Sequence, residues 1–338
     1  MSSKKPVCLI AEIAQAHDGS LGILHSYIDA LAPTGIDVVK FQTHIASAES
    51  SQLEPFRVPF SYEDKSRFDY WKRMEFSREQ WLEIKQHCED VGLEFMSSCF
   101  SNAAVDLMES IGMDRYKIGS GEITNFLLLE KIARTGKPII LSSGMSSYEE
   151  LDQAIHFLAK FGNDLSLLQC TTAYPTPPER VGLNVLGEMR SRYPGIRIGL
   201  SEHTAQVAMG IAAATLGAEL LEFHVVFDRR MFGPDARSSL TIDEVELLVA
   251  GVRQVEAMLA NPVDKTDHSA YKELKSIFEK SLAVNKELPQ GHVLSFEDLE
   301  AKKPAGSGIA SQDFRSVIGR KLKRPLEKYS FLKAEDLD

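Results

Sequence analysis

The stretch IRIGLSEHTAQVAMGIAAATLGAELLEFHV, Ile196 to Val225, reads as a strand, a helix and a second strand. IRIGLS (from Ile196) and AELLEFHV (from Ala218) are short, mainly apolar runs of strand length. Between them AQVAMGIAAATLG (from Ala205) has helical spacing and ends on Gly217, the residue type that commonly terminates a helix. Strand, crossover helix and strand make the unit of a parallel sheet. His203 and His224 stand where the two apolar runs stop. They are either metal ligands or ordinary polar strand ends.

The same pattern extends in both directions. Further strand-like runs are VCLIAEIA (from Val7), IDVVKFQT (from Ile36), LEFMSS (from Leu93), RYKIGS (from Arg115), KPIILSS (from Lys137) and LSLLQCT (from Leu165), making eight in all. Helical patterns such as LGILHSYIDALAPTG, REQWLEIKQHCEDVG and SYEELDQAIHFLAKFG lie between them. Eight such units predict an α/β fold, a closed (β/α)₈ TIM barrel, over residues 1–262. The longest interruption, His44 to Phe76, follows the second strand, where a barrel's active-face loops lie. Residues 263–277 read as a polar linker. Residues 278–338 turn to short alternating runs with turn residues, a small β-rich domain with little independent core.

Composition narrows the function. At 338 residues and 43% hydrophobic content the chain can bury a large core. A net charge of -10 argues against general nucleic-acid binding, which needs clustered Lys and Arg. A small anionic ligand requires only a local positive cluster. No stretch reaches the roughly eighteen apolar residues of a membrane span, and the four scattered cysteines suit reduced thiols, so the expectation is a cytoplasmic protein without disulfides.

The strand ends are polar. They supply Glu12; Lys40 and Gln42; Ser97 and Ser98; Lys117, Ser120 and Glu122; Ser142 and Ser143; Thr171, Thr172 and Tyr174; Ser201 and His203; and Glu222 and His224. Strand alternation puts Lys40 with Gln42, and Ser201 with His203, on shared faces. Two lysines and several hydroxyls at one barrel mouth would bind a phosphate or carboxylate. A lone histidine at a strand end is ordinarily structural. Two on adjacent strands would meet, and neutral imidazole is a common transition-metal ligand. His17 and His44 remain competing ligands by spacing. Glu202 should point away from its neighbours, in a structural role.

The series AEIAQAHDGS, VVKFQTH, SSCFS, YKIGSGEITNFLLLEKIARTGKPIILSSGM, QCTTAYPTP, GLSEHT and GPDARSSL resembles the sialic acid synthase family, and the C-terminal region resembles its antifreeze-like (SAF) domain. The resemblance implies a transferase that condenses phosphoenolpyruvate with an open-chain acylated hexosamine, such as N-acetylmannosamine or a 2,4-diacetamido-trideoxyhexose. Phosphate is released by C–O cleavage, and the cofactor is a divalent metal, expected to be Mn2+. It assigns Lys40, Ser98, Lys117, Ser120, Ser142 and Ser201 to phosphoenolpyruvate. His203 and His224 take the metal positions, and Glu12 and Glu122 the acidic catalytic ones. Gln42, Thr172, Tyr174, Asp235 and Lys303 fall on the sugar side. The family's SAF domain closes over a second subunit's barrel, implying a domain-swapped homodimer.

Departures from the family pattern fall mainly on the sugar side: Ala16 for Asn, Ser98-Cys99 for Thr-Pro or Ser-Pro, Thr172 for Asn, and Lys303 for the SAF-loop Arg. Lysine does not reproduce a bidentate guanidinium contact. Two alternatives stay open, a 3-deoxy-sugar acid synthase using a sugar phosphate and a catalytically silent sugar-binding homologue.

Overall fold

The computed structural model describes residues 5–58 and 60–338, in two compact units that divide between Asn261 and Pro262. In the first unit, β1 (Cys8–Glu12), β2 (Val38–Thr43), β3 (Glu94–Cys99), β4 (Tyr116–Ile118), β5 (Ile139–Ser142), β6 (Leu165–Cys170), β7 (Arg197–Glu202) and β8 (Leu220–Val226) pair in parallel in chain order. β8 returns to β1 with Glu12 opposite His224, closing the expected (β/α)₈ barrel. A two-residue β9 (Leu240–Thr241) pairs with Val225 and Val226, beyond the part of β8 that pairs with β1.

Around the barrel run α1 (Leu21–Leu31), α2 (Ala46–Glu49), α3 (Arg67–Met74), α4 (Arg78–Asp90), α5 (Asn102–Ser110), α6 (Phe126–Ala133), α7 (Tyr148–Ala159), α8 (Leu183–Arg192), α9 (Val207–Thr215) and α10 (Ile242–Ala260). Capping boxes start α4, α7 and α10 at Ser77, Ser147 and Thr241, each satisfying backbone N–H groups that the helix leaves unpaired. The large apolar cluster between strands and helices includes Leu9, Phe41, Trp81, Tyr116 and Phe223. No helix among the described residues is long and apolar enough to cross a membrane.

A separate layer fills the barrel itself: Ile10, Val38, Met96, Ile140, Leu168 and Leu220. β7 contributes Gly199 at this level. A Cβ there would come within 2.3 Å of the Leu220 carbonyl oxygen and 2.6 Å of Leu168 Cδ2, so the neighbouring leucines occupy the space a side chain would need.

The segment between β2 and α4 holds α2 and α3, fastened by a satellite cluster of Ala46, Tyr70, Trp71 and Met74 with Phe56, Phe60 and Phe68. This is the long active-face interruption expected from sequence. The second unit contains α11 (Lys272–Phe278) and one antiparallel pair, β10 (Ser281–Val284) with β11 (Leu299–Lys302). Its other alternating runs form isolated bridges such as Leu288 with Leu326, about a core that includes Leu282, Val284, Leu294 and Leu332. Turn residues between these runs leave each extended piece too short for a longer ladder.

Candidate active site

The residues that floor the barrel also aim the site. Two positions after Ile10, Val38, Met96, Ile140, Leu168 and Leu220, and therefore on the same strand faces, stand Glu12, Lys40, Ser98, Ser142, Cys170 and Glu222. Lys117 and Ser201 join them from β4 and β7. All eight are buried or nearly so. Above them opens a cavity of about 370 Å3, within the usual range for small-molecule sites.

Its floor is a balanced charge cluster. Lys40 Nζ contacts Glu12 Oε2 and lies 3.7 Å from Glu222 Oε1, while Lys117 Nζ is 3.3 Å from the same Glu222 oxygen. Ser98 Oγ accepts from Lys40 at 3.2 Å, and Ser201 Oγ donates to Glu222 at 3.3 Å. Burial pulls the Lys40 ammonium down to about 7, with Glu222 opposing and Lys117 reinforcing the shift. Its contact with Glu12 also favours the charged form. Burial disfavours ionised Glu222, but Lys117 and Lys40 outweigh it and hold that carboxyl below its ordinary range. The two lysines expected to bind an anion are thus matched by two carboxylates. An incoming polyanion therefore needs further positive charge or protons.

Some of the buried polar atoms left without partners gather at the same place. Ser142 Oγ, Thr172 Oγ1 and Glu222 Oε2 are buried without hydrogen-bond partners among the described residues. Unpaired buried groups of this kind require a ligand, water or ion. Gly144 draws the loops after β4, β5 and β6 together. Its N–H donates to Ser120 Oγ at 3.0 Å, and a Cβ there would lie 2.3 Å from Thr172 Oγ1 and 2.5 Å from Ser120 Oγ.

His203 and His224 do meet: their ring centroids are 5.3 Å apart, and both are buried. Burial pulls each imidazole down to about 3, which keeps both neutral, the state a metal ligand needs. His203 Nδ1 is 3.2 Å from the Thr171 carbonyl, so Nδ1–H donates there and Nε2 keeps its lone pair. The donor set therefore fits a divalent transition metal. No group of three or more His, Cys, Asp or Glu is assembled as a metal cage among the described residues. The imidazoles form an open pair.

Tyr174 packs its ring 4.4 Å from that of His203, and the Arg57 guanidinium lies 4.2 Å from the Tyr174 centroid. Asp235 accepts from Arg57 at 2.8 Å. Burial raises Glu122, which also accepts from Asn125 at 2.7 Å. Gln42, Thr172, Tyr174, Asp235 and Glu122 all line the cavity. Lys303 belongs to the second unit, where its ammonium sits 4.6 Å from the Phe278 centroid. His17 is not among the lining residues. His44 is, but its Nδ1 faces Glu49 Oε1 at 2.6 Å.

Sequence reasoning left Glu222 without a role and did not single out Glu49, Glu54, Arg57, Arg67 or Trp71, all of which line the cavity. Glu222 was findable, since it shares a strand face with His224. The others come from the irregular β2–α4 segment, where periodicity carries no facing information. Glu202 behaves as expected of a residue turned from the site: Oε2 accepts from both Thr204 N and Thr204 Oγ1 at 2.7 Å.

The NeuB family model matches residues 27–264, and the SAF domain model matches residues 279–338. Over 322 residues the chain is 32% identical to the N,N'-diacetyllegionaminic acid synthase of Campylobacter jejuni, covering 94% of this chain and 96% of that one. It is 31% identical over 341 residues to the human N-acetylneuraminate-9-phosphate synthase, covering 100% and 94%. Among solved structures, the N-acetylneuraminic acid synthetase of Leptospira borgpetersenii superposes with a TM-score of 0.71 at 27% identity, covering 80% of this chain and 91% of that one.

Proposed function

The chain belongs to the NeuB family, and from that premise we propose that it is a nonulosonic acid synthase joining phosphoenolpyruvate to an acylated hexosamine. The observation that carries this reading is the buried Lys40–Lys117 pair, ringed by Ser98, Ser142 and Ser201, directly below the His203–His224 pair. One part suits a small polyanion, the other a metal beside an electrophile.

Lys40, Lys117 and the hydroxyls of Ser98, Ser120, Ser142 and Ser201 would hold the phosphate and carboxylate of phosphoenolpyruvate. Glu12 and Glu222 then compete with the substrate for the lysines, which favours taking up the anion together with a cation. His203 and His224 would hold Mn2+, which when bound supplies Lewis acidity to the acceptor aldehyde. Gln42, Thr172, Tyr174 and Asp235 would contact the sugar.

In the reaction, C3 of phosphoenolpyruvate bonds to the aldehyde carbon and water adds at C2. The bridging C–O bond then breaks, so that phosphate leaves with the bridging oxygen and C2 becomes a ketone. The water gives up both its protons, one as it adds and one as C2 becomes the ketone; one proton ends on the former aldehyde oxygen and one on the leaving phosphate. Glu122, raised by burial, suits donation, and Glu12, beside Lys40, suits acceptance. The second unit, carrying Lys303, is assigned as a lid on a partner subunit's barrel in a homodimer, excluding water from the intermediate.

A sugar phosphate acceptor is disfavoured because Arg57, at the cavity wall, is already committed to Asp235 at 2.8 Å. The test is phosphate release from phosphoenolpyruvate with Mn2+ and N-acetylmannosamine or a 2,4-diacetamido-trideoxyhexose, with mass analysis of the product. Release that depends on the sugar and disappears with chelator supports the reading. No release with any acylated hexosamine favours the silent sugar-binding alternative.

A further inference from the structure

One line of hydrogen bonds runs from the rim of the cavity to its charged floor. Glu49 Oε1 lies 2.6 Å from His44 Nδ1, and His44 Nε2 lies 2.9 Å from Gln15 Nε2. The same Gln15 nitrogen is 2.6 Å from Gln42 Oε1, and Gln42 Nε2 is 3.4 Å from Glu12 Oε1. The His44 ring is held between Trp71 and Phe100, at centroid distances of 3.9 and 4.8 Å and interplanar angles of 18° and 5°. Buried and committed at both nitrogens, it keeps no polar atom for a substrate.

The order of donors along this line follows from one end. The Glu49 carboxylate oxygen accepts, so Nδ1 carries the ring proton of His44, and Nε2, facing the Gln15 amide, accepts. The Gln15 group facing Nε2 is therefore its NH2. Its second hydrogen meets Gln42, which turns the Gln42 carbonyl toward Gln15 and its NH2 toward Glu12 and the cavity. Were His44 to donate from Nε2 instead, the Gln15 amide would have to turn over, and Gln42 after it. The Gln42 carbonyl would then face the Glu12 carboxylate, acceptor against acceptor.

We infer that His44 is a positioning residue for the acceptor sugar: with Glu49, and through Gln15, it sets which end of the Gln42 amide faces the cavity. This rests on the proposed reading in which Gln42 contacts the acceptor.

The test is a double-mutant cycle in the full-length protein, reading the acceptor KM with N-acetylmannosamine or, where that sugar gives no turnover, 2,4-diacetamido-trideoxyhexose. The phosphoenolpyruvate KM is measured alongside. His44→Phe keeps a ring between Trp71 and Phe100 but removes both nitrogens. His44→Phe and Gln42→Ala are each expected to raise the acceptor KM about tenfold, the scale of one lost hydrogen bond, with the phosphoenolpyruvate KM little changed. The double variant is expected to be no worse than Gln42→Ala alone, because His44 acts only through Gln42. Glu49→Gln, which releases the tautomer without touching the aromatic stack, should repeat the acceptor effect and serves if His44→Phe does not fold.

Losses that add in the double variant overturn the inference while leaving the assignment of Gln42. So does an unchanged acceptor KM in His44→Phe or Glu49→Gln when Gln42→Ala is impaired. An unchanged KM in Gln42→Ala overturns that assignment and the inference with it. Absence of turnover in the unaltered protein with either sugar overturns the proposed function, and the inference falls with it.

Discussion

The imidazoles of His203, just past the end of β7, and His224, on the adjacent β8, lie 5.3 Å apart at an interplanar angle of 54°, with Tyr174 packed 4.4 Å from the first and 6.1 Å from the second. Replacing either histidine with alanine halves this open ligand pair. His203→Ala and His224→Ala should lose bound Mn2+ in metal analysis and turnover in the phosphate-release assay. Full activity of either variant at saturating Mn2+ would contradict the assignment.

Lys40 is sandwiched between two buried carboxylates, Glu12 and Glu222. Lys40→Met leaves these acids with Lys117 as the remaining floor cation, an uncompensated buried charge of the kind that costs about 3–5 kcal/mol. Urea unfolding should show a loss of that order, and phosphoenolpyruvate binding should disappear in calorimetry. A variant of unchanged stability would mean that the cluster is solvated or already protonated.

Gly199 lacks a side chain because Leu168 and the Leu220 carbonyl occupy its space. Gly199→Ala should destabilise the barrel by about 1–3 kcal/mol, the usual scale of overpacking, and displace Ser201 two positions on. Thermal unfolding reads the first effect and the phosphoenolpyruvate KM the second. Wild-type values in both would show that the layer adjusts freely.

His17 is buried, and burial, with His44 and Arg73 adding to it, pulls its imidazole from 6.5 to about 3. Between those values the unfolded chain binds a proton that the folded protein refuses. Stability contributed by the neutral ring is therefore complete above the unfolded value and declines as pH falls, by about 1.4 kcal/mol per pH unit for this one group. His17→Asn, whose side-chain oxygen can still accept from Gly19 N–H, should flatten the acid limb of a urea-midpoint profile between pH 6 and 4 by about that amount. An unchanged slope would contradict a buried neutral His17.

The barrel and its polar mouth were legible because strand alternation survives folding: each residue two beyond a floor residue faces the same way. That rule brings Glu12, Lys40, Ser98, Ser142 and Glu222 to one level without any knowledge of contacts. Charge matching was not legible, because it depends on neighbours across strands distant in sequence, as with Lys117 and Glu222. Nor was the outer wall. Arg57, Arg67, Glu54 and Glu49 stand in a segment whose shape is set by aromatic packing of Phe56, Phe60, Tyr70 and Trp71 rather than by a repeat. In the second unit the alternating runs are β-paired as expected, but mostly as isolated bridges, since alternation marks burial and not ladder length.

Condensation with C–O cleavage takes place at the site above Lys40 and Lys117 in the proposed reaction. The most direct measurement supplies phosphoenolpyruvate carrying 18O in its bridging position, with Mn2+ and the acylated hexosamine, and follows the label by mass spectrometry. C–O cleavage puts the label in the released phosphate, together with a keto acid longer than the sugar by three carbons. Unlabelled phosphate, or phosphate released without that product, would contradict it.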